Sequence, residues 1–258
     1  MEDCEQDLQR EVMAAKRVYI INGSPRKSYN RPNSESHQAC LNGRVVREEG
    51  IANTASLLHA FANGAREVNA NVEVTEVNLY DLHFTGCREC YACKLRDGRS
   101  YGQCGFQDDI SELLHQVAHA DVVAFGSPIY FSEITAQLRS FLERLWYPFV
   151  QFKRGEKQII APKRVRTAFL ITMNLGEMAM RHSGYDALLS PVLQWTGYVF
   201  GYEPQVQYCF DTLQYRDYNR YWADAWDVEG KKRRHKTQFP LDLQQARQLG
   251  YAMTMESV

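Results

Sequence analysis

Apolar positions along the chain fall into two alternating periods. Arg17–Asn22 (RVYIIN), Val72–Leu79, Asp121–Phe125, Val165–Met173 and Gln205–Asp211 are short apolar or alternating runs, which predict strands. The run at 165–173 is apolar enough to be buried on both faces, as in a parallel sheet. Between these runs the apolar spacing is helical. Leu57, Leu58, Phe61, Ala62, Ala65 and Val68 predict a helix from Asn53-Thr54 to Asn69. Ile110, Leu113, Leu114 and Val117 predict one begun by Asp108-Asp109. Ile134, Leu138, Phe141, Leu142 and Leu145 predict one from Glu133, and further helices follow over Tyr185–Phe200 and Leu241–Met253. Alternating strands and helices predict one α/β domain over residues 1–258, with helices on both faces of a five-stranded parallel sheet. The pattern lapses in a few places. Met1–Lys16 is polar, a short helix or a frayed extension. Ser28–Ile51 is polar, contains Pro32, Gly43 and Gly50, and predicts an inserted loop carrying Cys40. Lys153–Lys157 is a charged loop, and from about Thr212 an irregular aromatic extension carries Tyr215, Tyr218, Tyr221, Trp222 and Trp226.

The chemistry gathers where strands end. The first strand runs into Gly23-Ser24-Pro25-Arg26-Lys27, where small residues expose N–H groups and two bases add charge, a combination that suits an anion. Asn53 or Thr54 is placed to cap the first helix, whose amino terminus favours phosphate. With the insertion folded out, the two segments make one phosphate cradle. The third strand breaks into Gly126-Ser127-Pro128-Ile129-Tyr130-Phe131. Pro128 fixes that turn and two rings flank it, which suits a flat conjugated ligand. In a sheet of order 2-1-3-4-5 these two turns are neighbours across the switch point, where open α/β sheets bind ligands.

Cys87, Cys90 and Cys93 form two overlapping C-x-x-C pairs, a spacing that lets several thiolates converge on one centre, and Cys104 is the natural fourth ligand. That spacing is typical of iron–sulfur ligation; zinc is chemically possible with four thiolates, and a bare set of redox thiols is a third reading. The cysteines follow the second strand, whose carboxyl end shares the ligand side of the sheet. Cys209, the reserve ligand, sits in an apolar strand that favours a buried structural thiol.

GSPRK at 23–27, NT at 53–54, CRECYAC at 87–93, DD at 108–109 and GSPIYF at 126–131 together resemble the NADPH-dependent FMN reductase family, and within it the iron–sulfur flavoproteins. The resemblance runs from the first strand to about Arg144 and continues more weakly into FPLDLQQA at 239–246. It implies a flavodoxin-like three-layer fold binding FMN non-covalently. Ser24, Arg26, Asn53 and Thr54 would hold the phosphate, with Ser127, Pro128, Ile129, Tyr130 and Phe131 along the isoalloxazine ring. It implies a [4Fe–4S] cluster on Cys87, Cys90, Cys93 and Cys104 close to the flavin, and a homo-oligomer, dimer or tetramer, that completes the flavin site between subunits. The insertion at 28–51 departs from the family pattern, which passes from GSPRK almost directly to NT, and this removes Lys27 and Ser28 from the expected phosphate ligands.

Composition narrows the rest. The 258 residues are 45% hydrophobic and 24% charged, with a net charge of −1, so bulk charge makes no case for nucleic acid or membrane. KKRRHK at 231–236 is expected to be a solvated loop rather than a nucleic-acid patch. His115 and His119, four apart with no third ligand in view, read as a polar helix face. The charged amino terminus lacks an apolar signal core, no apolar run approaches a membrane span, and seven cysteines without a disulfide pattern favour a reducing cytoplasm. The expected function is electron transfer through FMN, fed by a ferredoxin-type carrier or NAD(P)H. The alternatives are a cluster-free NAD(P)H-dependent reductase of flavins, quinones or nitro compounds, and a zinc-clipped, non-enzymatic interaction scaffold.

Overall fold

The computed structural model describes residues 15–26, 39–41, 44–46, 52–155 and 158–256. Five parallel strands make the central sheet: β1 (Lys16–Asn22), β4 (Val72–Asn78), β5 (Val122–Pro128), β6 (Arg166–Thr172) and β7 (Gln205–Cys209). Their order is β4-β1-β5-β6-β7, which is 2-1-3-4-5 when these five alone are counted. The register brings Asn22 opposite both Asn78 and Gly126, so β1 and β4 end level at the switch point while β5 runs two residues further, to Pro128. β2 (Ala39–Leu41) and β3 (Arg44–Val46) pair antiparallel within the expected inserted loop. That segment therefore contains a small hairpin; the rest of 27–51, Lys27 and Ser28 included, lies outside the described residues, as do residues 1–14.

Side-chain alternation divides the core. Val18, Ile20, Ala124 and Leu170 face one layer, built from α1 (Asn53–Arg66) and, from the far end of the chain, the last helix, α7 (Phe239–Met255). Ile21, Phe125 and Phe169 face the other, built from α2 (Ser111–Ala118), α3 (Ala136–Trp146) and α5 (Tyr185–Phe200), which follows the short α4 (Glu177–His182). Phe125 and Phe169 meet at 5.1 Å between ring centroids. Burying such side chains contributes about 1.5–3 kcal/mol each, which holds both helical layers on the sheet.

Several elements differ from the sequence reading, among them β5, which stays paired with β6 as far as Pro128 where the sequence predicts a break at Gly126. α3 begins at Ala136, not Glu133, because Tyr130 and Glu133 pair across a tight turn whose central residues, Phe131 (φ 50°) and Ser132 (φ 71°), are both left-handed. The apolar spacing ran straight through that turn because Ile134 is buried anyway. Thr135 caps α3 instead, its side chain accepting from the Leu138 N–H. α2 begins at Ser111, after the Asp108-Asp109 pair rather than on it. The extension is not irregular throughout: it holds a 3-10 turn at Tyr218–Arg220 and a helix, α6 (Val228–Thr237), capped by Asp227. KKRRHK lies in α6, not in a loop, and Lys231 is buried.

Candidate functional site

The carboxyl edge of the sheet gathers buried polar side chains: Ser24, Asn53, Thr54, Ser127, Thr135 and Thr172. Gly23 and Gly126 let two strand ends meet there. The Gly23 N–H donates to the Gly126 carbonyl at 2.8 Å, and a Cβ on Gly126 would lie 2.5 Å from Leu58 Cδ1. After Gly23 the chain turns tightly. Asn22 Oδ1 accepts from the Ser24 N–H at 3.0 Å, Ser24 Oγ accepts from the Arg26 N–H at 3.2 Å, and Asn22 Nδ2 donates to Asn78 Oδ1 at 2.8 Å.

Asn53 and Thr54 are the first two helical residues of α1, not its cap. Ala52 holds the cap position and no side chain caps the helix. Thr54 Oγ1 bonds Thr172 Oγ1 at 2.7 Å, so its hydroxyl is committed to the end of β6. Asn53 Nδ2 donates to the Leu213 carbonyl at 2.9 Å, leaving its buried Oδ1 without a partner. Arg26 Nη1 donates to the Gln214 carbonyl at 3.3 Å. The structure therefore brings Ser24, Arg26, Asn53 and Thr54 to one edge and lays residues 213–214 of the extension against them. A helix amino terminus without a side-chain cap, beside an Arg and a buried orphan acceptor, has the chemistry to take an anion together with a hydroxyl donor.

The last residues of β5 and the loop after it flank the same edge. Ser127 Oγ donates to the Pro128 carbonyl at 2.7 Å and accepts from the Thr135 N–H at 3.0 Å, while Thr135 Oγ1 donates to the Gly23 carbonyl at 2.6 Å. Two backbone N–H groups of the loop are already committed: Ile129 donates to the Thr172 carbonyl and Tyr130 to the Glu133 carbonyl, both at 2.9 Å. Phe131 stands wholly exposed on the turn and Tyr130 is half exposed, so neither ring fills the core. Thr135, Thr172, Leu213 and Gln214 were missed in the sequence. Only Thr135 carried a signal there, a Thr three residues before Leu138 at the start of an apolar period.

The cysteines lie elsewhere. After Leu79–Asp81 the chain runs back along α3: the Leu79 carbonyl accepts from Gln137 Nε2, the Thr85 carbonyl from Arg144 Nη1, and Lys94 Nζ donates to the Tyr147, Pro148 and Val150 carbonyls. The expectation that they share the carboxyl edge is thereby corrected. Thr135 to Arg144 is nine residues of helix, about 13 Å. Cys87, Cys90, Cys93 and Cys104 all line one cavity of about 20 Å³, closed by Arg144 and Tyr147. Glu89 (φ 51°) and Tyr91 (φ 55°) are left-handed, one on each side of Cys90, so the C-x-x-C backbone is held in sparsely populated conformations. The segment before Cys104 does fold back, with the Gly102 N–H on the Cys93 carbonyl at 3.1 Å.

Arg144 fixes Cys104. It is buried, pairs with Asp108, and donates to the Phe106 carbonyl at 2.9 Å and to Cys104 Sγ at 3.4 Å. Burial works against its charge, but the bonds to Asp108 and Cys104 outweigh that and raise its pKa. Burial pushes the Cys93 thiol up, opposed by the Lys94 ammonium. Among the described residues no three Cys, His, Asp or Glu side chains are gathered to chelate an ion as they stand. Cys209 is in the other layer, its buried Sγ donating to Asp242 Oδ2 at 3.0 Å, and burial first, then Asp242, raises its pKa. A larger open cavity of about 710 Å³ backs onto Cys104 and Arg144 and includes His115 and His119, whose rings sit 4.3 Å apart.

Residues 41–217 match the family model for the flavodoxin-like fold. An iron-sulfur flavoprotein of Methanocaldococcus jannaschii is 33% identical over 98 residues, covering 38% of this chain and 46% of that protein. One from Archaeoglobus fulgidus is 28% identical over 110 residues, covering 43% and 51%. The chain thus spans about half the length of the curated relatives it matches. An NAD(P)H:quinone oxidoreductase from Methanothermobacter marburgensis superposes with a TM-score of 0.60 at 16% identity, covering 92% of this chain and 98% of that one. An FMN-dependent NADH-azoreductase from Bacillus anthracis, solved in complex with FMN, gives 0.53 at 11% identity, covering 91% and 99%. These structural likenesses establish the fold alone. With the strand order seen here and a family match over more than half its length, the chain belongs to the flavodoxin-like fold family.

Proposed function

We propose that this protein is an FMN-dependent oxidoreductase that exchanges electrons between FMN at the carboxyl edge and an iron–sulfur cluster on Cys87, Cys90, Cys93 and Cys104. The observation that carries the flavin half is the buried Asn53 Oδ1 without a partner, beside the uncapped start of α1. Ser24, Arg26 and the first N–H groups of α1, including that of Thr54, supply donors for a phosphate, while Asn53 Oδ1 suits a ribityl hydroxyl. Ser127 to Phe131 would border the ring. Bound FMN supplies hydride and single-electron exchange, and the residues around it set its position and exclude water. For the cluster, four thiols on one cavity beside the Arg144 guanidinium and the Lys94 ammonium suit an anionic sulfur centre. Closing them around it requires the exposed Cys87 and Cys90 to turn inward.

A second reading, a cluster-free NAD(P)H-dependent reductase, is favoured by one observation: among the described residues the thiols as they stand are not gathered to chelate. Under either reading the partner is a small-molecule or ferredoxin-type redox carrier and the protein works in the cytoplasm as a homo-oligomer. Among the described residues no helix is long and apolar enough to cross a membrane.

Anaerobic purification with absorption spectroscopy, iron and zinc assay and FMN titration tests the proposal. The expected result is stoichiometric FMN with iron in the proportion of one [4Fe–4S] cluster per chain. FMN without iron leaves the cluster-free reductase. Zinc without FMN affinity would establish the scaffold and sink both readings.

A further inference from the structure

We propose that Lys231 is a positioning residue for the cofactor edge: from α6 it fixes the turn at Asp211, and that turn sets the Leu213 and Gln214 carbonyls against Asn53 and Arg26. The inference rests on the FMN reading above and adds a role for the carboxyl-terminal extension. Lys231 is 2% exposed although it stands in the most basic run of the chain. Its Nζ pairs with the Asp211 carboxylate, donates to the Asn174 carbonyl at 2.9 Å and lies 5.3 Å from the centre of the Trp226 ring. A buried ammonium is costly unless paired and hydrogen-bonded, so its partners are fixed with it.

Those partners are the loops leaving β6 and β7. Asp211 is left-handed (φ 49°), and its N–H donates to the Leu175 carbonyl at 2.8 Å. The next residue is tied as well, with the Thr212 N–H and hydroxyl both on the Met173 carbonyl at 3.0 and 3.1 Å. Directly beyond this clamp, the Leu213 and Gln214 carbonyls accept from Asn53 Nδ2 and Arg26 Nη1. The Leu213 bond decides which end of the Asn53 amide is left to face a ligand. The Gln214 bond uses one of the five donors of Arg26. Lys231 touches no expected ligand group itself; it acts through Asp211 and the 211–214 segment.

The test compares Lys231→Met, Asp211→Asn and Arg234→Met in the full chain, by FMN titration, stopped-flow release of FMN and thermal melting. Arg234 also joins α6 to the end of β7, through its Nε to the Phe210 carbonyl at 2.7 Å, but lies outside the clamp, so it controls for simple loss of α6 attachment. Asn tolerates left-handed backbone, so Asp211→Asn removes the charge without imposing a new turn. Lys231→Met is expected to raise the FMN dissociation constant about tenfold, the scale of losing the pre-ordering of two side chains, mostly through faster release. Asp211→Asn should move it in the same direction, while Arg234→Met lowers the melting temperature and leaves affinity within about twofold. If folded Lys231→Met releases FMN as slowly as the wild type, the inference is overturned while the FMN reading stands. Should Lys231→Met fail to fold, unchanged FMN release in Asp211→Asn overturns it equally. A wild type that binds no FMN overturns both.

Discussion

Arg144 shows how much one side chain decides at the cysteine site. It holds Asp108, two backbone carbonyls and Cys104 Sγ together on the last turns of α3. Replacing it by Met leaves the Asp108 carboxylate and the carbonyls of Thr85 and Phe106 short of a donor. Removing one partner of a buried pair costs about 3–5 kcal/mol. Arg144→Met is therefore expected to lower the denaturation midpoint markedly and, in metal-free protein, to speed alkylation of Cys104, read by mass spectrometry of the labelled thiols. Unchanged Cys104 labelling would show that the guanidinium does not hold that thiol. The sequence reading nominated Cys104 from spacing, but nothing in the spacing pointed to Arg144, which read as one charge on a helix. Conversely, NT at 53–54 was found for its position while its local chemistry was misjudged. Both residues lie inside the helix, and Thr54 spends its hydroxyl on Thr172, 118 positions away. Residue identity and order were legible; the long-range partner that commits each polar atom was not.

At the scale of elements, the first and last helices meet more closely than side chains normally allow. A Cβ on Gly64 of α1 would lie 1.8 Å from the Arg247 carbonyl oxygen, and one on Gly250 of α7 2.1 Å from that of Phe61. In a free helix, alanine for glycine adds about 1 kcal/mol of stability. Here it forces the two backbones apart, and overpacking of this kind typically costs about 1–3 kcal/mol or more. Gly64→Ala and Gly250→Ala should each lower the urea midpoint, while Gly176→Ala, where nothing lies within 4 Å, should change it little. A Gly250→Ala variant as stable as the wild type would mean that the two helices do not need a glycine at their crossing. The hydrophobic period located both helices, and Tyr185–Phe200 was read to the residue. It carried no trace of this crossing, because glycines at a contact register only as gaps in the apolar pattern. α6 was lost for a related reason: six basic residues in succession hide an amphipathic period in which Lys231 is buried and Arg234 reaches the Phe210 carbonyl.

At the scale of the molecule, the buried polar cluster at the carboxyl edge and the cysteine cavity stand at opposite ends of α3. The strand order and the pairing of the Gly23 and Gly126 turns followed from element alternation, because parallel α/β sheets leave few topologies open. The place of the cysteines did not follow. The segment after β4 doubles back along a helix that comes later in the chain, and only tertiary contacts such as Gly86 against Glu143 fix that path. The separation has a measurable consequence. The proposed flavin edge draws on Ser24, Arg26, Asn53 and the end of β5, whereas the thiols share their cavity with Arg144, Tyr147 and Pro148. No side chain belongs to both sets, and sites without shared partners behave nearly additively. Cys93→Ser, which removes a central thiol, should therefore abolish iron binding yet leave FMN affinity within about twofold of the wild type. Arg26→Ala should do the reverse, weakening FMN while keeping full iron content. Parallel iron assay and FMN titration of the two variants read both effects. A large loss of FMN affinity in folded Cys93→Ser would mean that the two sites are coupled despite sharing no side chain.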